Sequence, residues 1–346
     1  MSQTVLNNRI RPGTPYRRFK KRHFGMALIL IALIVALSYE VTSIYSPASV
    51  LSPKVSAPKN SVATQQLNQV QSKPTPSLSS KQPSHIFLII LENQPLSYIL
   101  GSSSAPYLNS LINTAALATN YSAVTHPSLP NYIALTSAST DGITTDCNPP
   151  SAGCIVSVPN IADEIEASGR SWKQYAESMP SPCYSLNYGS LFATKHVPFL
   201  YYSDIINNPA RCQAHVVPYS NLATDLSSNA TTPNFAFITP NLCNDMHSCP
   251  ISSGDSWLAT NVPLILNSPA FKTTNSLLMI TWDEGNLSNN IVGAIFAGSD
   301  AKSGARSSVS YNHYSLLKTI ETLWGLKPLT ANDQNATAMT DLVNVP

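Results

Sequence analysis

Four short runs of uninterrupted apolar residues mark the chain beyond its first eighty positions: Ile86–Leu91 (IFLIIL), Phe235–Thr239 (FAFIT), Leu277–Trp282 (LLMITW) and Ile291–Ala297 (IVGAIFA). Their length and their β-branched and aromatic content predict strands buried on both faces. Between them the apolar positions take up the helical period, over Ala105–Leu117, Pro130–Ser137, Asn160–Ser168 and Tyr314–Trp324. Continuous apolar strands alternating with amphipathic helices predict an α/β fold, a mostly parallel sheet covered by helices on both faces.

Three of these strands run directly into polar residues of a particular kind. IFLIIL leads into Glu92 and Asn93, FAFIT into Pro240-Asn241-Leu242-Cys243-Asn244-Asp245-Met246-His247, and LLMITW into Asp283 and Glu284. Open α/β sheets bind ligands at the carboxyl ends of their strands. Two adjacent acids at the end of a buried strand repel each other unless a cation lies between them. The segment Val124–Thr136 adds a hydroxyl: Pro130 suits a first helical turn, with Ser128 or Leu129 just before it. There Ser128 faces unpaired N–H groups and the positive end of the helix dipole, which suits a phosphate. The structural alternative is that Ser128 is only an N-cap.

Composition divides the chain. Residues 1–23 hold seven basic side chains and no acid, and the apolar run Phe24–Tyr39 comes next. Residues 24–45 therefore read as a signal anchor, with a cleaved signal as the alternative, and either leaves the remainder outside the cytoplasm. Residues 46–84 are rich in Ser, Pro and Gln and read as a disordered linker. The domain, 85–346, carries nine basic and seventeen acidic residues, a formal −8. That balance excludes a nucleic-acid footprint and requires a metal if the domain handles phosphate. All six cysteines lie in this part, which points to disulfides, with fifteen connectivities open. Sequential pairing would staple three loops.

The ordered motifs Glu92-Asn93, T-H-P-S-L-P-N-Y (125–132), P-N-L-C-N-D-M-H (240–247), T-W-D-E-G (281–285) and N-H-Y-S-L-L-K-T-I-E (312–321) resemble the bacterial phosphoesterase family of acid phosphatases and phospholipases C. The likeness runs over roughly 85–330, takes in Lys195-His196-Val197-Pro198 and Gly254-Asp255-Ser256-Trp257-Leu258, and is nearest to the short secreted acid phosphatases of mycobacterial type. It implies an alkaline-phosphatase-like fold, a three-layer α/β/α sandwich, and a divalent metal (Mg, Ca, Mn, Zn or Fe). It implies Glu92, Asn93, Ser128, Asp283 and Glu284 as metal ligands, with Ser128 as nucleophile and Thr125 second to it. His196, His247 and His313 are implied as catalytic, and His126 less so. Gln94-Pro95 departs from the family pattern, and Leu129 replaces the arginine of the related sulfatases. The implied activity is a phosphomonoesterase with a phosphoserine intermediate. Its substrate would be a phosphate ester, a lipid such as a phosphoinositide included, and the N-terminal anchor would supply the membrane partner. A phospholipase C-type diesterase or an inactive surface binding module are the alternatives.

Overall fold

The computed structural model describes residues 82–346. The expected basic tail, signal anchor and nearly all of the linker lie outside them. Among the described residues, no helix is long and apolar enough to cross a membrane.

Among the described residues ten strands form, in chain order: β1 His85–Leu91, β2 Ala116–Ala118, β3 Tyr121–Ser122, β4 Trp172–Ala176, β5 Val216–Pro218, β6 Phe235–Thr239, β7 Ser276–Trp282, β8 Ala294–Ala297, β9 Arg306–Ser307 and β10 Tyr311–Asn312. Eight make one sheet in the order β5-β4-β6-β1-β7-β8-β2-β9, and β3 pairs with β10 in a small second sheet. The pairing is parallel except where β8 runs against β7 and β2. β1 lies between β6 and β7, and every residue of these three strands is buried. Leu91 sits opposite Trp282, so the next residues, Glu92 and Asp283, leave the sheet side by side. Helices cover both faces of this α/β/α sandwich. Pro106–Thr114 packs on Ile251–Leu266, and Ser128–Ser137 packs on His313–Trp324.

Two of the elements that differ from expectation shape the packing around the site. The expected helix Ala105–Leu117 stops at Thr114, and its apolar tail becomes β2, bonded to β8 and β9. The long helix Ile251–Leu266 is hidden in the sequence by Gly254 and Pro263, which interrupt its pattern. Its Gly-Asp-Ser-Trp motif turns out to be structural. A Cβ on Gly254 would meet the Met246 side chain and, at 2.8 Å, the Asn244 carbonyl, so this helix presses on the loop after β6. Asp255 is buried and accepts the N–H groups of Tyr107 and Leu108 at 3.0 and 2.8 Å, capping the neighbouring helix. The six cysteines pair in sequence: Cys147–Cys154, Cys183–Cys212 and Cys243–Cys249.

Helix His313–Trp324 buries an acid, Glu321, with neither carboxyl oxygen hydrogen-bonded and Lys318 at 3.7 Å. Burial, and then the nearby Asp333, push Glu321 up to about 9 from an ordinary 4.5. The folded chain thus holds a proton that the unfolded chain releases as pH rises above about 4.5. The stability from Glu321 is complete in acid and is lost as pH climbs towards 9. Melting temperatures of Glu321→Gln across pH 5–9 should therefore fall less steeply than those of the natural protein. Parallel slopes would mean that Glu321 does not titrate in this way.

Candidate active site

The three strand ends and one helix converge at the carboxyl edge of the sheet. Helix Ser128–Ser137 is buried along its whole length, and its N-cap is Pro127, without a side-chain cap bond. Ser128 is thereby free of capping: its Oγ donates to Glu92 Oε2 at 3.1 Å. The first-turn N–H of Leu129 is taken instead by Asp146 Oδ1 at 2.9 Å. Tyr132, one turn on, donates its hydroxyl to Glu92 Oε1 at 2.6 Å. Glu92 is fully buried, as is Asp283, whose carboxyl faces Glu92 and Ser128 and accepts the Asn93 N–H at 3.2 Å. Asn93 adopts a left-handed backbone, φ 60°, which asparagine tolerates better than most residues and which turns its N–H to that carboxylate.

Glu284, the next residue, commits one carboxylate oxygen to the turn before the helix. Its Oε2 lies 2.8 Å from His126 Nδ1 and 3.4 Å from Asn131 Nδ2. Asn131 in turn accepts the N–H groups of Val124 and Thr125 at 3.0 Å each, which fixes the turn before the helix. Thr125 spends its hydroxyl on the His126 carbonyl at 3.2 Å. A side chain at Gly285 would collide with the Asn289 carbonyl, so only glycine lets the loop after β7 fold back here.

The three predicted histidines take different positions. His196 is buried, stacked on Tyr132, with Nε2 3.0 Å from Glu92 Oε1 and Nδ1 3.2 Å from Asp245 Oδ2. His247 is solvent-accessible, its Nε2 3.4 Å from Lys195 Nζ and its N–H held by Asp245 Oδ1 at 2.8 Å. His313 has no free nitrogen: Nδ1 meets the Tyr121 hydroxyl at 2.8 Å and Nε2 the Asp283 carbonyl at 2.6 Å. It braces the end of β7 from behind.

Sequence reasoning passes over Lys195, Asp146 and Tyr132. Lys195 lies in a motif whose histidine alone suggests chemistry. Asp146 carries no signal beyond its place beside Cys147.

So much buried acid distorts protonation. Burial, then Asp283 and Asp245, push Glu92 well above the carboxylate range. Burial, then Glu284, raise Asp283 to about 8, and burial also lifts Asp245 and Glu284 to about 7. Lys195 feels opposing effects: burial lowers it, but Glu92 and Asp146 outweigh this and hold it above its usual value.

The donors fit a divalent cation. Asp283 Oδ2 is buried without a hydrogen-bond partner, and Asp245 Oδ2 has only the nearby His196 Nδ1, without hydrogen-bond geometry. Glu92, His196 and His247 each offer an atom within 4.8 Å of the others. Carboxylate oxygen with imidazole suits hard or borderline metals.

The phosphoesterase family model matches residues 91–327. The chain belongs to the phosphoesterase family. With that family it is a hydrolase acting on phosphoric ester bonds. Among its relatives, a phosphatidylinositol-3-phosphatase of Mycobacterium tuberculosis is 33% identical over 259 residues, 75% of this chain and 82% of the relative. A probable acid phosphatase of Kluyveromyces lactis is 28% identical over 92% of this chain and 75% of its own length. Solved structures similar in fold include an alkaline phosphatase superfamily protein from Vibrio parahaemolyticus, with a TM-score of 0.50 and 14% identity over 80% of this chain and 77% of that one. The lipoteichoic acid synthase LtaP of Listeria monocytogenes has a TM-score of 0.52 and 10% identity over 75% and 78%. At such identities these structures establish for this phosphoesterase its alkaline-phosphatase-like fold.

Proposed function

We propose that the chain is a metal-dependent phosphomonoesterase that works outside the cytoplasm through a phosphoserine at Ser128. The observation that carries this reading is the Ser128 hydroxyl, uncommitted to capping, at the start of a buried helix and hydrogen-bonded to Glu92.

Ser128 Oγ attacks phosphorus in line with the departing alcohol, and its proton passes to Glu92 Oε2, its hydrogen-bond partner at 3.1 Å, in the ionised form of Glu92 that a bound cation would favour. The P–O bond to the alcohol breaks as His247, on the solvent side, protonates the leaving oxygen. Water then attacks the phosphoserine and gives its proton to His247, while Glu92 returns the other to Ser128. Tyr132 holds Glu92 in place. Glu92, Asn93, Ser128, Asp283 and Glu284 are the proposed metal ligands, with His196 the nearest further donor and His247 kept for proton transfer. A cation bound there supplies Lewis acidity, offsetting charge on the phosphoryl oxygens and favouring the ionised serine.

The name of the mycobacterial relative supports a phosphoinositide or another phosphorylated small molecule as substrate. A lipid would suit a catalytic domain held near a membrane by residues 24–45 and a linker over 46–84. Three disulfides support an oxidising compartment. Assay of the full-length chain on p-nitrophenyl phosphate and its bis-ester, with and without chelator, tests the reading. Chelator-sensitive preference for the monoester is expected. Preference for the bis-ester would favour phospholipase C chemistry, and no turnover of either a binding module.

A further inference from the structure

Opposite the carboxylates, the Ser128 hydroxyl faces a single ammonium group. Lys195 Nζ lies 3.4 Å from Ser128 Oγ and pairs with Asp146 Oδ2 at 2.8 Å. No other Lys or Arg among the described residues makes an ion pair or hydrogen bond with this cluster. The Lys195 side chain is only 12% exposed, so packing fixes its charge where a surface lysine would wander. Asp146 also takes the first-turn N–H of Leu129 at 2.9 Å, so one carboxylate registers the ammonium against the nucleophile's own helix. Asn148 Oδ1 holds the Lys195 backbone N–H at 3.3 Å and the Thr194 hydroxyl at 2.8 Å. Asp146 and Asn148 flank Cys147, and the bridge to Cys154 closes their loop.

An anion approaching Ser128 therefore meets Glu92 and Asp283 on one side and one fixed positive charge on the other. We propose that Lys195 contacts the substrate phosphoryl group and selects the monoester dianion over the diester monoanion, with Asp146 as its positioning residue. This deepens, and rests on, the phosphomonoesterase reading above. The reason is Coulombic: the attraction of one ammonium for a dianion is about twice that for a monoanion at the same distance. Lysine acts here as a point charge and needs no bidentate geometry to discriminate.

The test is Lys195→Gln in the full-length chain, assayed at neutral pH, where the monoester is the dianion. The monoester kcat/KM should fall about 10²-fold, in the range seen when one preorganised anion-stabilising group is lost. Half that free energy on the diester gives about a tenfold fall, so the monoester-to-diester ratio drops about tenfold. The inhibition constant of orthophosphate should rise in parallel. Lys195→Arg should keep the ratio, and Asp146→Asn should shift it the same way by less. Lys195→Met, with a melting curve, guards against a variant that does not fold. An equal fall for both esters, or an unchanged orthophosphate constant, overturns the proposal while leaving the Ser128 reading intact. A natural protein that turns over neither ester refutes that reading instead.

Discussion

Ser128→Ala should lose turnover of p-nitrophenyl phosphate by about 10⁴-fold or more, as nucleophile removal does in other covalent catalysts. The fold should survive. The change deletes one buried hydroxyl and its bond to Glu92, a loss of about 1 kcal/mol and a few degrees of melting temperature. Acid quenching of the natural protein with labelled substrate should trap phosphate on the peptide that contains Ser128, and the variant should trap none. Thr125→Val is the control, because the Thr125 hydroxyl is bonded to the His126 carbonyl. Should Thr125→Val abolish the trapped phosphate while Ser128→Ala keeps it, the nucleophile assignment is wrong.

Asp283→Asn should separate catalysis from stability. Asp283 and Glu92 are fully buried neighbouring carboxyls, and Asp283 Oδ2 has no hydrogen-bond partner. At alkaline pH, where both are driven to ionise, neutralising one member removes a repulsion that burial magnifies, so in chelator the variant should there melt above the natural chain. In saturating metal the order should reverse. Only the natural chain gains the full binding free energy, about 2.7 kcal/mol at a hundredfold excess over Kd. Turnover should fall about 10³-fold through lost charge stabilisation at the phosphoryl oxygens. A metal titration that raises both melting temperatures equally would remove Asp283 from the ligand set.

The frame of this site can be read directly from the sequence. IFLIIL and LLMITW are both buried on two faces, which makes them central strands, and residues just past central parallel strands must meet at one edge. Glu92 and Asp283 do so because Leu91 and Trp282 share a register. A helix near Pro130 is equally visible, although it begins at Ser128, two residues before the expected start, and whether Ser128 serves chemistry depends on where Asp146 lies. That position is invisible in the sequence, since Asp146 and Lys195 come from segments without regular period. Lys195 arrives on the short 3₁₀ turn Thr194–His196, ordered by Asn187 and Asn148 from two separate loops. Strand β4 escapes prediction for a similar reason. Its Lys173 and Gln174 break the apolar run, yet Gln174 is buried and donates to the His196 carbonyl at 3.3 Å. A polar residue there reads as a loop until the backbone it supports is known. His313 illustrates the opposite difficulty: its motif is plain, but only the Tyr121 and Asp283 contacts reveal that both ring nitrogens are engaged.

The disulfides bear on how this edge meets its substrate. Cys243–Cys249 encloses Asp245 and His247, and Cys147–Cys154 begins one residue after Asp146. Both rings are small, so oxidation removes most of the conformational freedom of the loops before any ester arrives. The ordering cost of the anion-facing side chains is then met once, during maturation, and not again at each turnover. Binding free energy that would otherwise go into arranging loops remains available to align phosphorus with the serine oxygen.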